Sequence, residues 1–171
     1  MLCIIANCSP EADQKLSALR EAAFPPGRFT SPLNAHITLA TFLPEDYSTF
    51  MEACEKLIRR CRPSTVRYEK LEVLSETSII VATPSIPDEL AALHESIVME
   101  FSHSLDRWTG GNNWYPHTTL VYHPAADLQQ ICAGMRARFI PFEDRICQFS
   151  FSKVDDSGYT IIKTINLKEE E

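Results

Sequence analysis

The chain has 171 residues, of which 44% are hydrophobic and 23% are charged, and its formal net charge is -7. This length and composition are typical of a single soluble globular domain spanning residues 1–171, and they exclude an intrinsically disordered chain. The acidic balance, without any basic run, disfavours a long nucleic acid as partner, because such a partner needs many phosphate contacts from Lys and Arg.

The amino-terminal run, residues 1–7, is apolar, has no basic flank and is too brief for a signal peptide or a membrane span. Six cysteines lack a C-x-x-C pair, which argues against a zinc ribbon or a dithiol redox site. We therefore expect free thiols in a cytoplasmic protein that does not associate with membranes, and we expect a monomer.

The first half of the chain predicts, in order, a strand, a helix, a second strand, a second helix and a third strand. Pro10 suits the first position of the first helix, and Pro44 ends the second strand. Periodic apolar residues define the remaining boundaries. The predicted elements cover residues 2–7, 10–23, 35–43, 45–61 and 66–74.

The second half repeats this order and closes with a hairpin, at residues 78–82, 88–105, 114–123, 128–139, 147–154 and 159–167. The shift of 81 residues that aligns His36 with His117 also lays the strand starting at Val66 on the strand starting at Cys147. We interpret this agreement as a duplication that gives two pseudo-symmetric lobes, roughly residues 1–75 and 76–167, around a shared cleft.

A short motif, His followed by any residue, Ser or Thr, and an apolar residue, occurs three times, at His36, His94 and His117. Composition alone predicts about 0.3 matches. The match at His94 lies in a predicted helix, where residues two apart point in different directions, so we set it aside. In a strand, residues two apart share a face, so His36 projects with Thr38 and His117 with Thr119.

These residue types suit general acid–base catalysis on phosphorus. Histidine titrates near neutral pH, so one imidazole can take a proton from water while the other gives one to the leaving oxygen. We take His117 as the base and His36 as the acid, an assignment that the sequence does not fix. The threonine hydroxyls can donate to non-bridging phosphate oxygens in the five-coordinate transition state.

This chemistry requires no metal. A metal site joining His117 to His123 is excluded, because six strand residues at ~3.3 Å each place the two histidines ~20 Å apart.

Four further residues are candidates for substrate binding. The aromatic faces of Tyr115, Tyr122 and Phe42 flank the motifs and suit stacking on a base. Arg28, in the loop before the first motif, suits a phosphate contact. Core packing of the aromatic rings and an ordinary exposed position for the arginine are the competing interpretations.

Two H-x-[ST]-x motifs half a chain apart, with Pro116 before the second histidine, resemble the two-histidine (2H) phosphoesterase superfamily, which includes LigT-like RNA 2',5' ligases and cyclic-nucleotide phosphodiesterases. The resemblance covers almost the whole chain. It implies a duplicated bilobal α+β fold, with two antiparallel sheets flanking a central cleft and helices outside.

The same resemblance implies a metal-independent phosphodiesterase acting on 2',3'-cyclic phosphates or on 2',5'-linked nucleotides or RNA ends. An RNA 2',5' ligase, an RNA-end exonuclease and a non-catalytic module that binds a nucleotide or an RNA end stay open as alternatives.

Overall fold

The computed structural model describes residues 1–23, 34–74, 76–106, 109, 114–123, 127–156 and 158–168. These residues form eight strands, four α-helices and one short 3-10 helix. In chain order the elements are β1 (Leu2–Asn7), α1 (Pro10–Ala23), β2 (His36–Phe42), α2 (Tyr47–Ile58), β3 (Ser64–Val73), β4 (Ile79–Ser85), α3 (Asp88–Glu100), the 3-10 helix (Ser102–Ser104), β5 (Thr118–Tyr122), α4 (Leu128–Arg136), β6 (Phe142–Ile146), β7 (Gln148–Asp155) and β8 (Gly158–Asn166).

The strands form two four-stranded antiparallel sheets, with the orders β2-β1-β7-β8 and β5-β4-β3-β6. The predicted α+β fold with two antiparallel sheets is confirmed. The two motif strands, β2 and β5, are edge strands of their sheets, and they contact each other. Helix α3 contacts β2, and α1 contacts β5.

The boundary predicted near residue 75 does not separate the two sheets. It falls between β3 and β4, which are paired from Arg67↔Ser85 to Val73↔Ile80. Strand β7 in turn pairs with β1, from the opposite end of the chain. Each sheet therefore combines strands from both halves. Strands β3 and β7, equivalent under the 81-residue shift, occupy the same third position in the two sheet orders.

The second motif strand is shorter than predicted, because it begins at Thr118 rather than at residue 114. Pro116 has no N–H for a ladder of hydrogen bonds, and the pair Ala82↔Thr118 is where the β4–β5 ladder ends. His117 therefore lies in the irregular segment just before β5. This segment is held by contacts other than strand pairing.

Strand β6 was not predicted from the sequence. It pairs with β3, and its middle residue, Asp144, is a buried carboxylate that accepts hydrogen bonds from the Ser9 amide. A charge at an inward-facing position breaks the apolar alternation by which a strand is recognised. Asp144 is tolerated at this position because its carboxylate accepts from the Ser9 amide, which is distant in the sequence.

Both motif strands carry a β-bulge at the fourth position of the motif. The pairing of β1 with β2 skips Leu39, and the pairing of β4 with β5 skips Leu120. Both leucines are buried. A bulge leaves one residue out of the ladder and re-aims the residues that follow it, so simple alternation holds only up to this position.

The interior is continuous and apolar, and part of it is an aromatic cluster of Phe42, Phe50 and Phe101, with ring centroids of neighbouring pairs 4.7 and 4.6 Å apart. Among the described residues, no helix is both long enough and apolar enough to cross a membrane.

Candidate active site

The first motif presents a polar face and an apolar face. His36 and Thr38 are half-buried, whereas Ile37 and Leu39 are fully buried. The alternation of a strand produces this division, since neighbouring side chains point to opposite faces. One histidine and one threonine therefore lie on the less buried face of an edge strand.

The second motif repeats the division although its histidine precedes the strand. His117 is half-buried and Thr119 is exposed, whereas Thr118 and Leu120 are buried. Thr118 differs from its counterpart Ile37 in carrying a hydroxyl group into the interior. A buried hydroxyl needs a hydrogen-bond partner, and its partners connect the two motifs.

Two hydrogen bonds join the second motif region to the backbone of the first. The Thr118 hydroxyl donates to the carbonyl oxygen of His36 (3.0 Å), and the Trp114 indole donates to the carbonyl oxygen of Thr38 (3.0 Å). A positive charge on His117 also disfavours protonation of His36, which places the two imidazoles within electrostatic reach of each other. The structure thus brings both predicted motifs into one site.

A chain of buried hydroxyl groups supports this contact. The Tyr68 hydroxyl lies 2.7 Å from the Thr118 hydroxyl, and the Cys8 thiol lies 3.1 Å from the Tyr68 hydroxyl. Because the His36 carbonyl only accepts, Thr118 donates to it, Tyr68 donates to Thr118, and Cys8 donates to Tyr68. Burial raises the pKa of the Cys8 thiol to about 12 and also raises the pKa of Tyr68. These groups therefore stay protonated and act as structural donors.

The two catalytic candidates are held in the same tautomer. Nδ1 of His36 lies 2.8 Å from the carbonyl oxygen of Asn34, and Nδ1 of His117 lies 2.7 Å from the carbonyl oxygen of Tyr115. A carbonyl oxygen only accepts, so Nδ1 carries the hydrogen in both rings. Each ring thus keeps Nε2 for proton transfer. The same contact, to the residue two positions earlier, occurs in both motifs.

The environment of the two imidazoles differs in one respect. Burial lowers the pKa of His36, the hydrogen bond to Asn34 opposes this, and His117 lowers it further. Burial also lowers the pKa of His117, but there both the hydrogen bond to Tyr115 and the charge of Glu72 oppose it. Both rings favour the neutral form more than an exposed histidine does. Of the two, His117 has the environment that better supports a proton.

Glu72, on β3, was not identified from the sequence, where it is one of many charged residues in a strand. The Tyr115 and Thr83 hydroxyls donate to its carboxylate, the second over 2.7 Å, and Lys70 Nζ lies 3.1 Å from Oε1. Burial raises the pKa of this carboxyl, but the hydrogen bonds from these groups outweigh it, and the pKa lies below its ordinary value. The group is therefore a carboxylate at neutral pH. No local sequence pattern identifies Glu72 as part of the site, because Thr83 lies on β4 and Tyr115 lies in the segment before β5.

The candidates for substrate binding separate into different environments. Tyr115 is 40% exposed, and its ring centroid lies 6.3 Å from that of His117. Tyr122 is exposed at the end of β5, opposite Ile79. Phe42 is fully buried in the aromatic core, so its ring offers no face to a base, and the interpretation of it as a stacking residue is wrong. Arg28 lies outside the described residues.

The described part of the chain holds no group of three or more His, Cys, Asp and Glu side chains with the geometry of a metal site. All six cysteines are free thiols, and three of them are buried.

The two sheets and the two facing motif strands are those of a two-histidine phosphoesterase. The chain belongs to the 2'-5' RNA ligase superfamily, because the model of that family matches residues 8–158. A sequence search of curated proteins found no match.

Several solved structures share the fold over nearly the whole chain. LigT of Escherichia coli, crystallised with 3'-AMP, has 19% identity and a TM-score of 0.67, and the alignment covers 98% of this chain and 97% of LigT. The protein TT0787 of Thermus thermophilus has 19% identity, a TM-score of 0.69 and 99% coverage of both chains. LigT has also been crystallised with phosphate, with ATP and with NADP+. At this identity the likeness is one of fold.

Proposed function

We propose that this protein is a metal-independent phosphodiesterase that acts on 2',3'-cyclic phosphates or on 2',5'-linked nucleotides or RNA ends. The observation that carries the proposal is the pair of imidazoles on contacting motifs, each with Nδ1 bound to a backbone carbonyl and Nε2 left for proton transfer. Two histidines in opposite protonation states are what general acid–base catalysis of a phosphodiester requires.

In the proposed reaction, water attacks phosphorus and the bond from phosphorus to the leaving ribose oxygen breaks. One Nε2 takes the proton that the attacking water loses, and the other Nε2–H gives its proton to the leaving oxygen, so the two rings exchange protonation states in each turnover. The hydroxyls of Thr38 and Thr119 donate to the non-bridging oxygens as negative charge builds. The products are a phosphomonoester and a free hydroxyl group.

We assign the base to His36 and the acid to His117, which reverses the assignment made from the sequence. The acid must hold a proton before the reaction, and the Glu72 carboxylate stabilises an imidazolium at His117. The base must be neutral, and its neighbour His117 disfavours a proton on His36. The environments of the two rings thus support opposite roles.

A small or terminal substrate fits the charge and surface of the protein better than a long nucleic acid does. The net charge is -7, so extended phosphate contact is unfavourable outside a local site. The partly exposed ring of Tyr115 beside His117 supplies an aromatic face for a nucleobase. LigT, which shares this fold, has been crystallised with nucleotides.

Ligation is the second candidate, because the same two imidazoles serve transesterification. A hydroxyl group then attacks the cyclic phosphate in place of water and His36 takes its proton, while the bond from phosphorus to the leaving ribose oxygen breaks and His117 gives its proton to that oxygen. Product analysis on short RNA with 2',3'-cyclic phosphate ends distinguishes a new 2',5' linkage from a phosphomonoester or a shortened strand.

The test is a panel of 2',3'-cyclic mononucleotides, 2',5'-linked dinucleotides and short RNA ends, assayed with wild type, His36→Ala, His117→Ala and His103→Ala. His103 is an exposed histidine of the 3-10 helix and serves as the matched control. We expect turnover of at least one substrate that falls by more than about a hundredfold in the first two variants and is unchanged in the third.

Full turnover in His36→Ala and His117→Ala would contradict the proposal. Nucleotide binding without turnover of any substrate would instead favour the non-catalytic module.

A further inference from the structure

The irregular segment that carries His117 is attached to the first motif strand by one aromatic side chain. Trp114 lies three residues before His117, outside any strand, and is half-buried. Its indole donates to the carbonyl oxygen of Thr38 over 3.0 Å. The Trp114 side chain therefore links the backbone of Thr38, in the first motif, to the segment that precedes His117, in the second motif.

His94 holds the Trp114 ring in place. The two ring centroids are 3.8 Å apart and the planes differ by 15°, which is a stacked arrangement. His94 is only 4% exposed, and its Nδ1 lies 2.8 Å from the carbonyl oxygen of Leu39. Because that oxygen only accepts, Nδ1 carries the hydrogen and donates.

The β-bulge explains why two adjacent carbonyl groups bind this one stacked pair. Leu39 is the residue skipped in the register between β1 and β2, so no residue of β1 lies directly opposite it. Carbonyls of successive strand residues ordinarily point to opposite sides, and the bulge interrupts that pattern. Thr38 then contacts Trp114 while Leu39 contacts His94.

This histidine belongs to the third copy of the short motif, His94-Glu95-Ser96-Ile97, which lies on α3 and takes no part in the proposed reaction. Its stacking and its hydrogen bond both involve the structure around the first motif. An exposed helical histidine would have neither contact, so the burial of His94 calls for a function at this position.

We propose that Trp114 and His94 are positioning residues that set the separation of the two catalytic imidazoles, an inference that rests on the proposed function. Segment 114–117 has no strand ladder of its own. The Trp114 contacts hold its beginning against β2, and the Thr118–His36 hydrogen bond holds the residue that follows it. Loss of these contacts lets His117 move with respect to His36 and Thr38. Displacement of a catalytic group by about 1 Å costs up to about a hundredfold in rate.

The experiment uses conservative variants of the full chain and the best substrate of the panel above. Trp114→Phe keeps a ring on His94 but removes the indole N–H. His94→Phe keeps a ring on Trp114 but removes the donor to Leu39. His94→Asn restores an amide N–H near the position of Nδ1. Phe149→Leu, in the core of β7 and two strands away from β2, is the control for lost stability.

We expect Trp114→Phe and His94→Phe each to lower kcat by about tenfold to a hundredfold while KM changes by less than about threefold. The double variant should be no slower than the slower single variant, because both changes release the same segment. His94→Asn should recover part of the loss. Phe149→Leu should lower the melting temperature and leave kcat of the folded enzyme unchanged.

A second measurement does not depend on turnover. NMR titration of the His36 and His117 imidazoles should show changed titration midpoints in Trp114→Phe. If Trp114→Phe does not fold, the same change is measured in His94→Phe. Wild-type midpoints together with wild-type kcat in the folded variants would overturn the inference. A wild type without turnover would end the proposed function, whereas the titrations would still decide whether Trp114 and His94 position the two rings.

Discussion

The buried hydroxyl of Thr118 offers a direct test of how the two motifs are held together. It donates to the His36 carbonyl over 3.0 Å and accepts from the Tyr68 hydroxyl over 2.7 Å. Thr118→Val replaces this hydroxyl with a methyl group of similar size. The substitution leaves the shape of the interior almost unchanged and removes both hydrogen bonds.

The expected cost follows from the groups left without partners. The His36 carbonyl loses its donor in a part-buried position and the Tyr68 hydroxyl loses its acceptor in a buried one, at about 1–3 kcal/mol per group. The added methyl group returns about 0.8 kcal/mol of apolar burial. We therefore expect Thr118→Val to lower the free energy of unfolding by about 1–5 kcal/mol. Tyr68→Phe should cost about 1 kcal/mol, since Thr118 still donates to His36.

The two substitutions should not be additive. In Thr118→Val the Tyr68 hydroxyl loses its acceptor and keeps only its contact with the Cys8 thiol. In the double variant that hydroxyl is gone, so this penalty disappears, and the total should fall short of the sum by about 1–2 kcal/mol.

Urea unfolding of the wild type, both single variants and the double variant measures the cycle, and the exposed Thr119→Val should stay within about 0.5 kcal/mol of wild type. A Thr118→Val cost below about 1 kcal/mol, or additivity within about 0.3 kcal/mol, would refute the described network.

Three further predictions concern the site and the core. Removing the negative charge in Glu72→Gln should lower the pKa of His117, so the alkaline limb of kcat/KM moves to lower pH, and a pH profile with an unmoved limb would contradict the assignment of the acid. Because His36 must be neutral and His117 protonated, and both have a pKa below the ordinary value of about 6.5, the wild-type optimum should lie on the acid side of that value and survive a chelator. Phe42→Ala should cost about 3–5 kcal/mol of stability and Tyr122→Ala less than about 0.5 kcal/mol, and equal costs in denaturant titrations would contradict the burial of Phe42.

Apart from β6, the order of the strands and α-helices could be predicted from the sequence because it depends on local signals. Periodic apolar residues defined the helices, and Pro10 and Pro44 marked boundaries where the structure has them. The two motifs were identified for the same reason, since a histidine and a threonine two apart on a strand share a face whatever surrounds them. Strand pairing is not local. Strand β3 joins the sheet of β4, β5 and β6, and β7 joins the sheet of β1 and β2. This pairing depends on contacts between distant segments, which the periodicity of apolar residues does not predict.

Phe42 shows where alternation ceases to be informative. It lies an even number of residues after His36, so unbroken alternation places it on the same face as the histidine. The bulge at Leu39 intervenes, and Phe42 packs against Phe50 and Phe101 instead. A bulge that contains no glycine has no sequence signature of the kind that marks a turn. A single inserted residue was therefore enough to move an aromatic ring from the expected cleft to the core.

The two motifs are nearly equivalent in sequence, yet their surroundings are not, and the difference is what a proton-transfer pair needs. Identical environments would give two imidazoles with the same proton affinity, and neither would be favoured as acid or base. Here Glu72 acts on His117, and Trp114 with His94 attaches the segment before His117 to the first motif strand. Each of these side chains comes from outside the four motif positions. In the proposed mechanism the duplicated motif supplies the reacting groups, and residues that the two halves do not share give those groups different roles.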